Sequence, residues 1–209
     1  MRTVPDPRMS RCLRKIAESL GLSVHRYRPS YVYVDRARFR DVVIPVMPID
    51  QTNDTFYQVA RDVIHDDRTM LRFERLFVVW QAIKNVSHLK LPAVEVGSFR
   101  GGSSYFIANA FKACGASGIP IHVIDTFEGH CASEIADSVD VYHKPGMFAQ
   151  TSFEDVKKYL SGFKNVTVHK NSFADAAPRL PQTLYSFAHI DVDIYLPTKQ
   201  CLDYFIPRL

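Results

Sequence analysis

The chain has 209 residues, of which 46% are apolar, with 26 basic against 22 acidic side chains and a formal net charge of +4. That length suits one domain with an extension, the apolar share is enough for a sizeable core and excludes disorder, and so mild a charge implies no nucleic-acid partner. Cys12, Cys114, Cys131 and Cys201 stand far apart with no CxxC pair, which reads as reduced thiols of a cytoplasmic protein rather than a zinc site or a disulfide framework.

Residues 1–54 read as an accessory region. The N-terminus carries charges and no apolar h-region, so no signal peptide is expected, and no apolar run approaches a membrane span. Met9, Cys12, Leu13, Ile16 and Leu20 fall at helical spacing, with Gly21 as the stop. Residues 24–40 interleave arginine with tyrosine, including Arg26, Tyr27, Arg28, Tyr31 and Tyr33. Such a mixture can bind single-stranded nucleic acid. The charge pattern favours a strand or hairpin with a solvated basic face. Val42–Met47 is broken by Pro45 and reads as an edge strand or extended linker.

Residues 55–209 carry the alternation of an α/β domain. Phe56, Val59, Ala60, Val63 and Ile64 form the apolar stripe of one helix. A second spans about 70–86, with Leu71, Leu76, Val79, Trp80, Ile83 and Val86 facing the core; Arg72 and Glu74 on it read as a surface pair. Ala93–Val96 is the first strand, followed by a glycine turn and a helix from Ser103 to Cys114, closed by Gly115. Ile121–Ile124 is the second strand, ending at Asp125. A loop of about 25 residues follows, and in it His130 and His143 are candidate substrate contacts. Thr151-Ser-Phe-Glu154 has the form of a capping box and opens a helix through Val156 and Leu160 to Gly162. Val166–His169 is a third strand and Leu184–Ile190 a fourth, running into Asp191-Val-Asp193. A last helix has Pro197 in its first turn.

Four strands joined by helices predict a parallel, doubly wound, Rossmann-like sheet with right-handed crossovers and a helical N-terminal extension. Ending there would leave a buried-type strand on the edge. The domain therefore reads as lacking its C-terminal strands, with self-association left open.

Three strand tips carry the chemistry. Glu95-Val-Gly97-Ser-Phe-Arg-Gly101-Gly102-Ser-Ser104 places an acid two residues before a glycine, then a loose glycine pair. Ser103 stands where a P-loop needs lysine, and Phe99 breaks the dinucleotide fingerprint. The turn should bring bare amides and a helix N-terminus close to a ligand. Asp125 suits two hydrogen bonds from ribose hydroxyls. Asp191 and Asp193 would point the same way in a strand, and two carboxylates suit Mg²⁺ or a base with its orienting partner. His189 reads as a packed strand histidine.

Together these residues resemble the class I S-adenosylmethionine-dependent methyltransferases, and most closely the macrocin O-methyltransferase family, which methylates sugar hydroxyls of natural products. The matching pieces are Thr69-Met-Leu, residues 94–104, Asp125-Thr-Phe-Glu-Gly129, residues 190–199 and Tyr204–Leu209. The resemblance implies that Glu95, Gly97, Ser98, Gly101 and Ser103 surround the methionine part of the cofactor. Asp125 with Thr126 would hold the ribose, Phe127 would lie beside the adenosine, and Ser172 and Phe173 near the adenine. Asp191 would sit by the sulfonium as the first ligand of a Mg²⁺ ion, and Asp191 or Asp193 would take the proton from a small-molecule hydroxyl. Two other readings stand beside it: a metal-dependent glycosyltransferase using Asp191-Val-Asp193, and a non-catalytic cofactor-binding fragment.

Overall fold

The computed structural model describes residues 54–209 except residue 137. The helix expected around Met9–Leu20, the arginine–tyrosine stretch and the edge strand at Val42–Met47 lie outside the described residues.

Helix α1 (Asp54–His65) and helix α2 (Phe73–Val86) turn their apolar stripes into one core cluster with one face of the sheet and the helix that follows its first strand. Phe56 meets Phe73, Trp80 and Phe106 with ring centroids 4.8, 5.5 and 5.9 Å apart, an aromatic knot of the kind worth about 1 kcal/mol per pair beyond area burial. Helix α2 begins three residues later than its stripe suggested. The Thr69 hydroxyl accepts the Leu71 N–H at 3.0 Å, so residues 69–71 form a turn instead of a first helical turn. The expected Arg72–Glu74 pair does not form among the described residues; Glu74 instead turns one carboxylate oxygen inward.

Strand β1 (Ala93–Val96) leads through the glycine turn into helix α3 (Gly102–Ala113), and strand β2 (Ile121–Asp125) follows. Helix α4 (Phe153–Tyr159) is capped by Ser152, not Thr151: the Ser152 hydroxyl accepts the Asp155 N–H at 3.4 Å, while the Thr151 hydroxyl donates to the Phe99 carbonyl. Ser152→Ala is expected to lower the unfolding free energy by about 1 kcal/mol, measured by urea denaturation.

Strand β3 (Val166–Lys170), the short helix α5 (Phe173–Ala176), strand β4 (Phe187–Ile190) and helix α6 (Tyr195–Phe205) complete the described domain. Helix α5, a single turn, was not expected; Ser172 caps it. Strand β4 starts later than its apolar run because the Tyr185 N–H donates to the Arg208 carbonyl, away from the ladder.

All four strands are parallel, in the order β3-β2-β1-β4. Their period of two sorts the core onto two faces. Ala93 packs with the residues of α1, α2 and α3, while Val94 and Val96 pack with those of α5 and α6. No helix among the described residues is long and apolar enough to cross a membrane.

Candidate functional site

A cleft of about 260 Å³ opens at the C-terminal ends of β1, β2 and β4, where open parallel sheets bind ligands. The wall begins at Gly97, whose φ is +90° and whose hypothetical Cβ would lie 2.1 Å from the Asp191 carbonyl oxygen. Only glycine lets the turn after β1 pass so close to the end of β4.

Asp125 ties the tip of β2 to that turn. Its Oδ2 accepts the N–H groups of Ser98 and Phe99 at 2.8 Å each, and its Oδ1 accepts the Phe127 N–H at 2.7 Å. Burial pushes this carboxyl above its usual range and the three amides pull it back, while the charge of Glu95 pushes it up further. The turn is therefore not the set of bare amides expected from its sequence. The Gly101 and Gly102 N–H groups are also occupied, by the carbonyls of Ser98 and Arg68 at 2.8 and 3.0 Å. A carboxylate has roughly four acceptor positions, so Asp125 keeps about one, enough for one hydroxyl rather than the expected two.

Glu95 does not line the cleft. Strand alternation puts it on the α3 face with Ala93, fully buried. The Ser104 hydroxyl donates to one of its carboxylate oxygens, and Nδ1 of His189, its register partner on β4, lies 2.9 Å from the other. Burial alone would lower the His189 imidazole, but the hydrogen bond and charge of Glu95, helped by Asp191, raise it above the usual 6.5. Two more expected contacts stand behind the wall. Gly101 (φ +77°) packs against Val156, and Phe127 is buried edge-on to Phe153 with centroids 5.6 Å apart.

The remaining residues singled out in the sequence, Gly97, Ser98, Ser103, Asp125, Thr126, Ser172, Phe173, Asp191 and Asp193, all line the cleft. The Thr126 hydroxyl is engaged in its own turn, donating to the Gly129 carbonyl at 3.0 Å. The Ser98 hydroxyl is buried without a hydrogen-bond partner among the described residues. An orphaned polar atom in a cleft wall is what a site for a polar ligand leaves behind when empty of partners.

Asp191 and Asp193 are not strand neighbours pointing one way. The strand ends at Ile190, and Asp193 has φ +63° in a tight turn closed by the Ile194 N–H on the Val192 carbonyl at 2.8 Å. Burial pushes the Asp191 carboxyl up; His189 pulls it down, Asp193 and Glu95 push it up, and Arg75 pulls it down. Among the described residues no three His, Cys, Asp or Glu side chains gather as metal ligands. The resemblance gave Asp191 only as the first ligand of a Mg²⁺ ion, and the described residues do not by themselves show a complete site for it.

Several wall residues were given no role in the site by the sequence reading, Met70 among them although its motif was part of the resemblance. Met70 and Arg75 enter from the turn before α2 and from its first turn, and Glu134 and Phe148 from the long loop. Of the two loop histidines, His130 lines the cleft and His143 stands behind it, with Nε2 of the first 3.0 Å from Nδ1 of the second. Burial lowers the His130 imidazole, His143 lowers it too, and Asp193, Asp140 and Asp125 oppose them. The loop is pinned: the Asp140 carboxylate accepts the N–H groups of Ala136 and Tyr195 at 2.8 and 3.0 Å, and Arg100 donates to the Gln150 carbonyl at 3.1 Å. Four non-glycine residues in and behind this wall, Phe99, Phe127, Phe148 and Asp193, have φ between 51° and 66°.

The site accords with what the chain resembles. The solved O-methyltransferase NovP shares the fold, with a TM-score of 0.59 at 22% identity over 68% of this chain. The match spans 62% of the NovP chain, less than two thirds of it. A Streptomyces olivaceus protein, 8-demethyl-8-(2,3-dimethoxy-alpha-L-rhamnosyl)-tetracenomycin-C 4'-O-methyltransferase, is 26% identical over 182 residues, which cover 82% of this chain and 70% of that protein. Neither match favours the glycosyltransferase reading. The family model for macrocin-O-methyltransferase (TylF) matches residues 31–209, and with so much of the sequence covered, the chain belongs to the macrocin O-methyltransferase family.

Proposed function

We propose that this chain transfers the methyl group of S-adenosylmethionine to a hydroxyl of a small molecule, with a sugar of a glycoside or natural product as the acceptor. The observation that carries the reading is the convergence of Ser98, Asp125, Ser172 and Asp191 on one cleft at the tips of a parallel sheet, in a member of an O-methyltransferase family. The relative named for a rhamnosyl 4'-O-methylation supports a sugar acceptor.

The cofactor, when bound, supplies a sulfonium methyl that is already activated, so the chain has mainly to align and shield it. The buried Ser98 hydroxyl and the remaining acceptor position of Asp125 hold polar groups of the cofactor. Phe173 and Ser172 offer an apolar face and a polar edge at the far end. Asp191, with its carboxyl raised by burial, accepts the proton of the acceptor hydroxyl, and Asp193 keeps the surrounding field negative.

Two further elements belong to the same reading. The free thiols of Cys114, Cys131 and Cys201 suit the reducing cytoplasm. Strand β4 pairs with β1 alone among the described residues, an edge to which a second copy can add.

Calorimetry tests the cofactor. The wild-type protein is expected to bind S-adenosylhomocysteine. Asp125→Ala, which frees three amides from their acceptor, is expected to weaken that binding by about tenfold or more. A folded wild-type sample that evolves no heat with S-adenosylhomocysteine overturns the reading.

A further inference from the structure

We propose that Arg75 is the anchor for the α-carboxylate of the cofactor's methionine part, a positioning contact that fixes which way round the cofactor lies; the proposal rests on the cofactor reading above. The cleft wall is acidic. Asp125, Glu134, Asp191 and Asp193 line it, and Arg75 is the one arginine or lysine that does so among the described residues. An amino-acid tail brings an ammonium and a carboxylate. The ammonium finds acids and carbonyls throughout such a wall. The carboxylate finds one guanidinium, whose planar fork of donors suits it bidentately.

Arg75 is also available. Two other arginines on this side of the domain are engaged: Arg68 is paired with Asp155, and Arg100 with Asp67. Arg75 makes no side-chain hydrogen bond or ion pair among the described residues and remains exposed at the cleft. The turn before it is held in place, because the Gly102 N–H donates to the Arg68 carbonyl at 3.0 Å and Thr69 closes residues 69–71. The position of the guanidinium base is thus set by the same glycine turn that builds the wall. Its charge is felt at Asp191, at the tip of β4, whereas Ser172 and Phe173 follow β3, at the opposite end of the sheet order. A carboxylate held by Arg75 therefore leaves the adenine at the β3 end and the sulfur between them.

Calorimetry with two ligands isolates the contact. S-Adenosylhomocysteine carries the carboxylate; S-adenosyl-3-thiopropylamine is the same molecule with that group replaced by hydrogen. The wild type is expected to prefer the first by about tenfold or more, the size of a charge-assisted pair at a partly solvated site. Arg75→Ala should bind both alike, at the wild-type affinity for S-adenosyl-3-thiopropylamine, and Arg75→Lys should recover part of the preference. An Arg75→Ala protein that still discriminates as wild type does, or one that weakens both ligands equally, overturns the proposal. A wild type that binds neither ligand removes the cofactor reading and the anchor with it. A wild type that binds both while Arg75→Ala changes nothing removes the anchor alone. The exposed position of Arg75 makes loss of folding an unexpected result, and an unchanged thermal midpoint in both variants confirms that the comparison is between folded proteins.

Discussion

Glu95→Ala should lower the unfolding free energy by about 3 kcal/mol or more, the scale seen when one partner of a buried ion pair is removed. The side chain is fully buried between Ser104 on α3 and His189 on β4. Truncation strands a hydroxyl and an imidazole, and leaves a cavity beside Ala93. Glu95→Gln, which keeps the volume, should cost less. The pH dependence gives a sharper signature. The folded state raises the His189 pKa above its ordinary 6.5. The stability contributed by the charged pair is therefore fully present below pH 6.5, where the unfolded histidine is also protonated, and is lost as pH rises through the folded value. Urea titrations across that window should show a falling stability in the wild type and a flatter profile in Glu95→Gln. Equal slopes in the two proteins would mean that the pair carries no proton linkage.

Gly97→Ala is expected to have an effect of similar size and to abolish cofactor binding as well. At φ +90° an alanine costs about 1–2 kcal/mol. Its Cβ would also sit 2.1 Å from the Asp191 carbonyl oxygen, a backbone atom that cannot rotate away. Overpacking of this kind adds about 1–3 kcal/mol. Relief requires β1 and the end of β4 to separate, and that moves Asp191 away from the cleft. Gly115→Ala serves as the control, since φ is +73° but no atom lies within 4 Å of the new Cβ. It should pay only the conformational penalty and leave S-adenosylhomocysteine binding intact. Urea denaturation and calorimetry on both variants separate the two effects; similar results for both would show that the approach of Gly97 to Asp191 does not matter.

What the sequence made legible was local. Short apolar runs tipped by an acid placed three strand ends correctly, because such runs are confined by the turn chemistry on either side. The alternation with helices carried the parallel sheet. The residues after those strand ends then met in one cleft by topology alone. What it hid was tertiary. Nothing in residues 95–104 indicates that their amides will be claimed by an aspartate 27 positions further on. Glu95 was misplaced for a related reason: alternation assigns it to one face of β1, but which face lies under α3 depends on how the helices wrap the sheet. Arg75 was invisible because an arginine on an amphipathic helix is usually solvated. The Thr69 turn that aims it at the cleft is a property of the fold. Asp140 offered no signal either, since its partner at Tyr195 lies 55 residues away.

The left-handed backbones of Phe99, Phe127, Phe148 and Asp193 have a consequence for how the protein can change. Side chains bulkier than glycine cost about 1 kcal/mol or more in that conformation. The bends that shape the ligand cavity are therefore also where folding free energy is forgone. Selection for heat resistance alone would favour glycine or asparagine where the side chain is not itself buried, as at Asp193, and the wider backbone freedom of glycine would loosen a bend that gives the cavity its outline; at buried Phe127 the lost ring would cost more than the strain relieved. Adaptation of this chain to a hotter habitat and retention of its specificity would accordingly pull on the same few residues in opposite directions.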